Sequence, residues 1–403
     1  MPEIVIVIDI NKEISDCKQL IKTLIVAVRT VVWSVSNVKG HVGNMQAPRG
    51  MQEHESRITA KLLRHSLKCF SIYSTGDAAS IKEENEILEL LAGIFTVLDE
   101  RTFRDVFTLN LPVLFEHLLK RETCIAIPRA FVSNQAVTKP FTDILLQFLV
   151  QRIRDLSSSD KHEGQVGPLP FPVLFSHCKS STAPCTLISD VAPYARQRQA
   201  DCAPRGGQVI LNLFKTIFIG ISNFSDNEHV LKQYVRQIVV ACLKHAMQEK
   251  RATSYYLLLK TVFRQVSSGK FEHLQKEFIS LLKNLLENLC KMLAAAQEDD
   301  TKELLVELCL SVPARLNFLL PHIPLLMKPL VQALNGSPEL VHMGLKKLEN
   351  WVESLQPGFL DPLLQGVKDD LMPALYKQMQ SGNTNFSLAA IRILGKLGGR
   401  NRR

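Results

Sequence analysis

The chain has 403 residues, of which 46% are hydrophobic and 22% charged, with a formal net charge of +9 and a pI near 9.0. This is the balance of a folded chain with enough length for one large core or several small ones. No uninterrupted apolar run approaches the roughly 18 residues of a membrane span, so no transmembrane helix is expected. The excess of Lys and Arg gives only mild attraction to polyanions, and the solvated faces of helical repeats account for it. Direct nucleic-acid binding is therefore not expected.

The apolar start at residues 4–8 is the one strand-like stretch, and it lacks the basic region and cleavage site of a secretory signal. Residues 1–14 read as an N-terminal extension. Residues 15–37 form the first clear helix, where Leu20, Leu24, Ala27, Val31 and Val35 recur at helical spacing as its apolar face. A polar loop with Pro48, Arg49 and Gly50 follows. The next helix, near residues 55–74, brings Ile58, Leu62 and Ile72 to one side. Ser80 and Glu83 make an S-x-x-E capping box ahead of Ile87, Leu91, Ile94 and Val97. Phe103 opens a helix that ends near Leu119, and Pro112 in its middle is expected to kink or split it. Residues 141–153 are helical, with Ile144, Leu145, Phe148 and Leu149 apolar.

The character changes at residues 157–208. Ser157, Ser158 and Ser159 lead into Pro168, Pro170, Pro172, Pro184, Pro193 and Pro204, with no helical period. Connections longer than about 12–15 residues are functional or disordered, so this block is expected to be a disordered insertion between helical regions at 15–156 and 209–403. Regulation through its cations Lys179, Arg196, Arg198 and Arg205 is the rival reading.

Order returns at Val209, with Leu213, Ile217 and Ile221 on one face. Ser225 and Glu228 form a second capping box. Leu231, Val235, Ile238 and Cys242 make one face, and Tyr255, Leu259, Val262 and Val266 the next. Residues 271–296 are leucine-rich, with Leu274, Phe278, Leu281, Leu285 and Leu289 in register. Glu298, Asp299 and Asp300 cap a helix starting at Thr301. Asn335-Gly336 ends a further helix, where Gly tolerates the left-handed conformation of a C-cap. Ser337 and Pro338 are the N-cap and first residue of the next. On that helix Val341, Leu345, Leu348, Val352 and Leu355 share one face, with Trp351 read as core and Lys346, Lys347, Glu349 and Glu353 off it. Residues 359–380 carry Pro373, and residues 385–397 precede Gly398-Gly399 and a basic tail.

First helices of successive pairs begin near Glu228, Phe271, Phe318 and Phe359, at intervals of about 40–47 residues, the signature of HEAT and armadillo repeats. The expected fold is all-α: a HEAT-like, right-handed solenoid, a superhelix of antiparallel helix pairs.

Candidate chemistry is sparse. The stretch GKLGGR at 395–400 lacks the spacing of a phosphate loop and follows no strand. His177, Cys178, Cys185 and Cys202 are too widely spaced for a zinc hook. His117, His245 and His322 lack ligand spacing, and Asp369-Asp370 reads as solvated helix surface. Cys17, Cys69, Cys242, Cys290 and Cys309 sit in helical patterns and read as free thiols in a reducing compartment. No nucleophile elbow, metalloprotease helix or kinase signature is present in the sequence. No catalytic, cofactor-binding or metal-binding residue is expected, and no cofactor.

Several long runs carry a family resemblance: ELCLSVP at 307–313, LLPHIP at 319–324, MKPLVQALNGS at 327–337, LQPGFL at 355–360 and RILGKLGGRNR at 392–402. Upstream, CKQLIKTL at 17–24, KEE at 82–84, LAGIF at 91–95 and YYLLL at 255–259 fit the same pattern. With these the chain resembles the transformation/transcription domain-associated protein family over everything from Asp16 onward except the Pro-rich block. The resemblance implies a segment of the HEAT-like solenoid of a very large nuclear scaffold. Such scaffolds are subunits of histone acetyltransferase coactivator complexes, receive transcription activators, and resemble phosphatidylinositol-kinase-related kinases with an inactive kinase domain. It also implies a fragment, since the FAT region and pseudokinase are not in this sequence. Rival expectations are the solenoid of an active kinase of that superfamily and a HEAT-repeat transport receptor.

Overall fold

The computed structural model describes residues 10–37, 39–42, 45–48, 51–73, 81–157, 205–224, 227–249, 252–267 and 271–399. The strand-like start, Ser80, Ser225, most of the Pro-rich block and the basic tail lie outside them.

The elements, in order, are α1 (Ile10–Ser36), β1 (Lys39–Val42), β2 (Met45–Pro48), α2 (Glu53–Tyr73), α3 (Ile81–Phe95) and α4 (Glu100–Lys120). Then come α5 (Ala126–Val132), α6 (Thr138–Gln151), α7 (Arg205–Asn223), α8 (Glu228–Gln248), α9 (Thr253–Ser267), α10 (Glu272–Ala295) and α11 (Asp299–Ser311). The chain closes with α12 (Leu316–Leu319), α13 (Ile323–Asn335), α14 (Pro338–Ser354), α15 (Pro357–Gln365), α16 (Lys368–Met379) and α17 (Thr384–Gly399). Short 3-10 turns at Glu122–Ile125, Ile153–Ser157 and Leu320–His322 join some of them.

A helix with one apolar stripe needs a partner, and here most helices from α5 onward pack on a sequence neighbour, and the long helices pack on the helix one repeat away. The second rule builds two parallel layers. In the first, α1, α3, α5, α7, α9, α11, α14 and α17 pack in succession; in the second, α2, α4, α6, α8, α10, α13 and α16 do the same. This is the expected all-α solenoid, a quasi-one-dimensional stack. The core is one continuous apolar cluster running its length. Its early part is aromatic: Phe103 and Phe107 stack at 4.4 Å between ring centroids, and Phe131 meets Phe107 edge-on at 4.7 Å.

Most expected faces are buried as read, including those of α8, α9 and α10 and Val341, Leu345, Leu348, Trp351 and Val352 of α14. Several details differ for identifiable reasons. In α1 the packed side is Ile21, Ile25, Val28 and Val32, while Leu20, Leu24 and Val31 are 68%, 61% and 62% exposed. Helix α1 is apolar on two adjoining stripes, and only one meets α3. It also holds a stretch, Lys12–Ser36, long and apolar enough on average to cross a membrane, contrary to the reading from uninterrupted runs. Two of its polar residues, Lys18 and Lys22, pair with Glu83 and Glu86 of α3 at 2.5 and 2.7 Å and seat it in the solenoid.

Ile58 on α2 is exposed, and Leu63, Leu67 and Phe70 carry the buried face instead. An antiparallel strand pair, β1 with β2, stands where a polar loop was expected, with Lys39 opposite Pro48 and Val42 opposite Met45. Helix α4 runs unbroken across Pro112, starting at Glu100 where the Asp99 carboxylate accepts from Thr102 N–H at 3.1 Å. Burial of Leu111, Leu114, Phe115 and Leu118 around the proline outweighs its one missing hydrogen bond. The expected helix over 359–380 divides at Gly366-Val367 into α15 and α16. Helix α11 begins at Asp299, so Asp299 and Asp300 form its first turn, where acidic charge suits the helix dipole.

Gly336 has φ −86°, extended and not left-handed, so conformational freedom is not its purpose. Ser337 is the N-cap residue of α14, but its side chain makes no capping hydrogen bond. Helix α7 begins at Arg205, so residues 205–208 belong to the solenoid. At Gly207 an added Cβ would stand 2.6 Å from the Leu156 carbonyl oxygen, and only glycine permits that approach. Residues 156 and 207, on either side of residues 158–204, therefore lie in direct contact.

Candidate interaction surfaces

Hydrogen bonds between repeats fix the layers in register. Glu228, buried at the start of α8, accepts from the backbone N–H groups of His273 and Leu274 at 2.8 and 3.0 Å. It thereby caps α10, whose own N-cap residue Phe271 has no side-chain acceptor. The capping box expected of it with Ser225 lies outside the described residues. Likewise Glu303 accepts from Ser337 N–H at 3.1 Å, and Gln378 donates to the Leu334 carbonyl at 2.8 Å near the end of α13.

Ion pairs span the same step. Lys260 meets Glu307 at 2.6 Å, Arg392 meets Glu349 at 2.8 Å, and Lys396 meets Glu353. In the second layer Asp143 of α6 receives Arg104 of α4 at 2.7 Å and the Tyr234 hydroxyl of α8 at 2.9 Å. Burial, together with the bond to this carboxylate, pushes the Tyr234 phenol up to about 12.

The candidate chemical groups are dispersed. His177, Cys178, Cys185 and Cys202 lie outside the described residues. Among the described residues no group of three or more His, Cys, Asp or Glu is placed to hold a metal. Gly395 and Gly398 sit within α17, so the glycine stretch is helix up to Gly399. Burial holds the half-buried His117 below its ordinary value, and His245 stacks on Tyr255 at 5.8 Å. The thiols of Cys17, Cys69, Cys124, Cys242, Cys290 and Cys309 are free. Cys124 and Cys242 are buried, and burial raises both, Cys124 to about 11. Asp369 and Asp370 are exposed and line a groove of about 780 Å³ with Asp299, Glu303, Lys302 and Lys377.

Two surfaces stand out. One is the apolar stripe of α1, in which Ile14, Leu20, Leu24 and Val31 are all exposed. The other is a groove of about 540 Å³ on the first layer, spanning α9, α11 and α14. Lys347 of α14 lies in it. The sequence placed Lys347 on a solvated face, but it is half-buried against the preceding helices, and burial lowers its affinity for a proton. Its groove companions come from three repeats, so no local motif could have gathered them.

A two-layer stack of helix pairs, clasped repeat to repeat and displaying broad side surfaces, defines the chain as a HEAT-type solenoid. The family model that matches is described as the Tra1 HEAT repeat central region and covers residues 3–382. The chain belongs to this family. It is 32% identical over 97% of its length to the transformation/transcription domain-associated proteins of Danio rerio and Homo sapiens. It is 30% identical over 80% of its length to the Saccharomyces cerevisiae SAGA complex/NuA4 acetyltransferase complex subunit TRA1. These matches cover 10%, 9% and 8% of the three relatives, so the chain spans about a tenth of the length of the curated proteins it resembles.

Proposed function

We propose that this chain is a non-catalytic scaffold segment of a transcription coactivator subunit in histone acetyltransferase complexes, working in the nucleus. The observation that supports this most is the solenoid formed by the described residues within a family match over residues 3–382, to relatives named as SAGA and NuA4 subunits. A solenoid of this kind contributes extended side surfaces, the usual work of helical repeats. Its partners are complex subunits and transcription activators. Residues 157–204 are an insertion carried between α6 and α7.

The test is affinity purification of the tagged protein from nuclear extract of the cells that express it. Acetyltransferase complex subunits are expected to co-purify. Recovery of transport cargo with a Ran-like GTPase, or saturable ATP binding by the purified chain in calorimetry, would overturn the reading.

A further inference from the structure

Two thiols meet between α10 and α11, helices that pack directly on each other. Cys290 stands on α10 and is half-buried; Cys309 stands on α11 and is buried; both are free. The Cys309 S–H donates to the Cys290 sulfur, so the two sulfurs lie in hydrogen-bonding contact. A second bond fixes Cys290 in place. Pro329 lies inside α13 and has no N–H, so the carbonyl of Leu325, four residues earlier, lacks its helical donor. The Cys290 thiol fills that role, donating to the Leu325 oxygen at 3.5 Å. Replacing a missing amide calls only for a donor, which a hydroxyl supplies more strongly than a thiol. It does not account for a second sulfur seated against the first.

The two thiols are chemically unequal. The hydrogen bond from Cys309 holds Cys290 below its ordinary value, against the opposing effect of burial. The same bond, with burial behind it, holds Cys309 well above its own. One sulfur is therefore the more accessible and the readier to ionise, and the other stays enclosed and protonated beside it. The thiolate is the nucleophile, and oxidation selects accessible, easily ionised cysteines poised next to a second thiol. Cys124 and Cys242 are buried, and burial raises both, so they lack these properties.

We propose that Cys290 and Cys309 form a peroxide-sensitive dithiol whose oxidation staples α10 to α11. The Cys290 thiolate attacks one oxygen of hydrogen peroxide, the O–O bond breaks, and Cys290 becomes a sulfenic acid as the first water leaves. The Cys309 sulfur then attacks the sulfur of Cys290, the S–O bond breaks, and the hydroxyl leaves with the Cys309 proton as a second water. Two thiols have given up two electrons, and one peroxide has been reduced to two waters. The new bond joins the second layer to the first. In a reducing compartment it lasts only while oxidant is supplied, and thiol reductants reverse it. The inference goes beyond the scaffold reading and does not depend on which partners the solenoid carries.

The test exposes the reduced 403-residue protein to hydrogen peroxide, blocks the remaining thiols with N-ethylmaleimide and maps disulfides by mass spectrometry. Trypsin places the two cysteines on separate peptides, residues 284–291 and 303–315, so the bridge appears as one linked species. That species is expected to form about tenfold or more faster than Cys124 or Cys242 is oxidised, and to vanish with dithiothreitol. In Cys309→Ala the bridge is lost and dimedone traps a sulfenic acid on Cys290. In Cys290→Ser, Cys309 stays reduced. Absence of the linked species, formation no faster than oxidation of Cys124 and Cys242, or dimedone labelling of Cys309 ahead of Cys290 would overturn the proposal. Because Cys309→Ala alters the core, the unmodified protein supplies a second arm. Phenylarsine oxide, which bridges neighbouring thiols, should protect both peptides from N-ethylmaleimide and block the reaction with peroxide. Failure to protect would show that the two sulfurs do not meet, and would overturn the proposal as well.

Discussion

Helices α1 and α14 carry equally clean apolar periodicity and meet opposite fates. In α14 the stripe of Val341, Leu345, Leu348 and Val352 is buried, because α11 packs on one side, α17 on the other and α13 beneath. In α1 the stripe of Leu20, Leu24 and Val31 stands open, because among the described residues its first-layer neighbour, α3, takes the adjoining stripe of Ile21, Ile25, Val28 and Val32. Periodicity reports which side of a helix is apolar. Whether that side is covered depends on how many neighbours the stack supplies.

The largest effect that probes this contrast is Leu348→Ala. Its side chain is fully buried, and truncation at such a site costs about 2–5 kcal/mol, so the urea midpoint should fall clearly. Leu24→Ala should leave the midpoint nearly unchanged; matching losses would mean that the α1 stripe is covered after all.

An alkaline shift comes next and reads the closed layers alone. The buried Cys124 thiol rises from its ordinary value of 9.0 to about 11. A folded-state value above the unfolded one means stability that is complete below about pH 9 and lost as pH climbs toward 11. Over pH 8 to 10.5 this one thiol contributes a loss of about 2 kcal/mol. Cys242 and Tyr234 act in the same direction. Lys347, whose value is lowered, acts oppositely as a single group. Chemical denaturation across that range should show falling stability, shallower in Cys124→Ala; a flat profile would contradict the burial of these groups.

Gly220→Ala is expected to cost about 1–3 kcal/mol by overpacking, since its Cβ would stand 2.7 Å from Val132 Cβ on α5. Gly395→Ala on α17 meets open space, so its midpoint should stay level or rise slightly through helix propensity. A thermal melt of the pair measures how tightly the first layer is drawn together at α5 and α7.

The smallest thermodynamic effect is Leu20→Ser with Leu24→Ser, predicted to stay within about 0.5 kcal/mol as exposed substitutions do. The pair should instead lower binding of a hydrophobic dye. Unchanged dye binding would place the dye's surface elsewhere, on exposed residues such as Leu388 and Ile391 of α17.

Much of the stack was legible because its helices repeat one physical demand. The leucine and aromatic spacing of α8, α9, α10 and α14 named the buried residues directly. What stayed hidden depends on partners distant in sequence. The half-burial of Lys347 follows from α11 lying against α14. The cap supplied by Glu228 to α10 joins residues 45 positions apart, and no local rule looks that far. The strand pair of β1 and β2 carries no alternating apolar pattern that would have announced it. The groove is likewise a product of stacking: Arg264, Arg315 and Lys347 belong to three segments that only the solenoid makes adjacent.

The contact of Gly207 with Leu156 has a genealogical consequence. Where the two ends of an excursion touch, the repeats on either side keep their phase whatever lies between. Lengthening such an excursion is cheap, about 0.6 kcal/mol for each doubling, so stability barely polices what is written there. The seam that must be kept is Gly207 itself, because any side chain would prise α7 from the carbonyl it rests on.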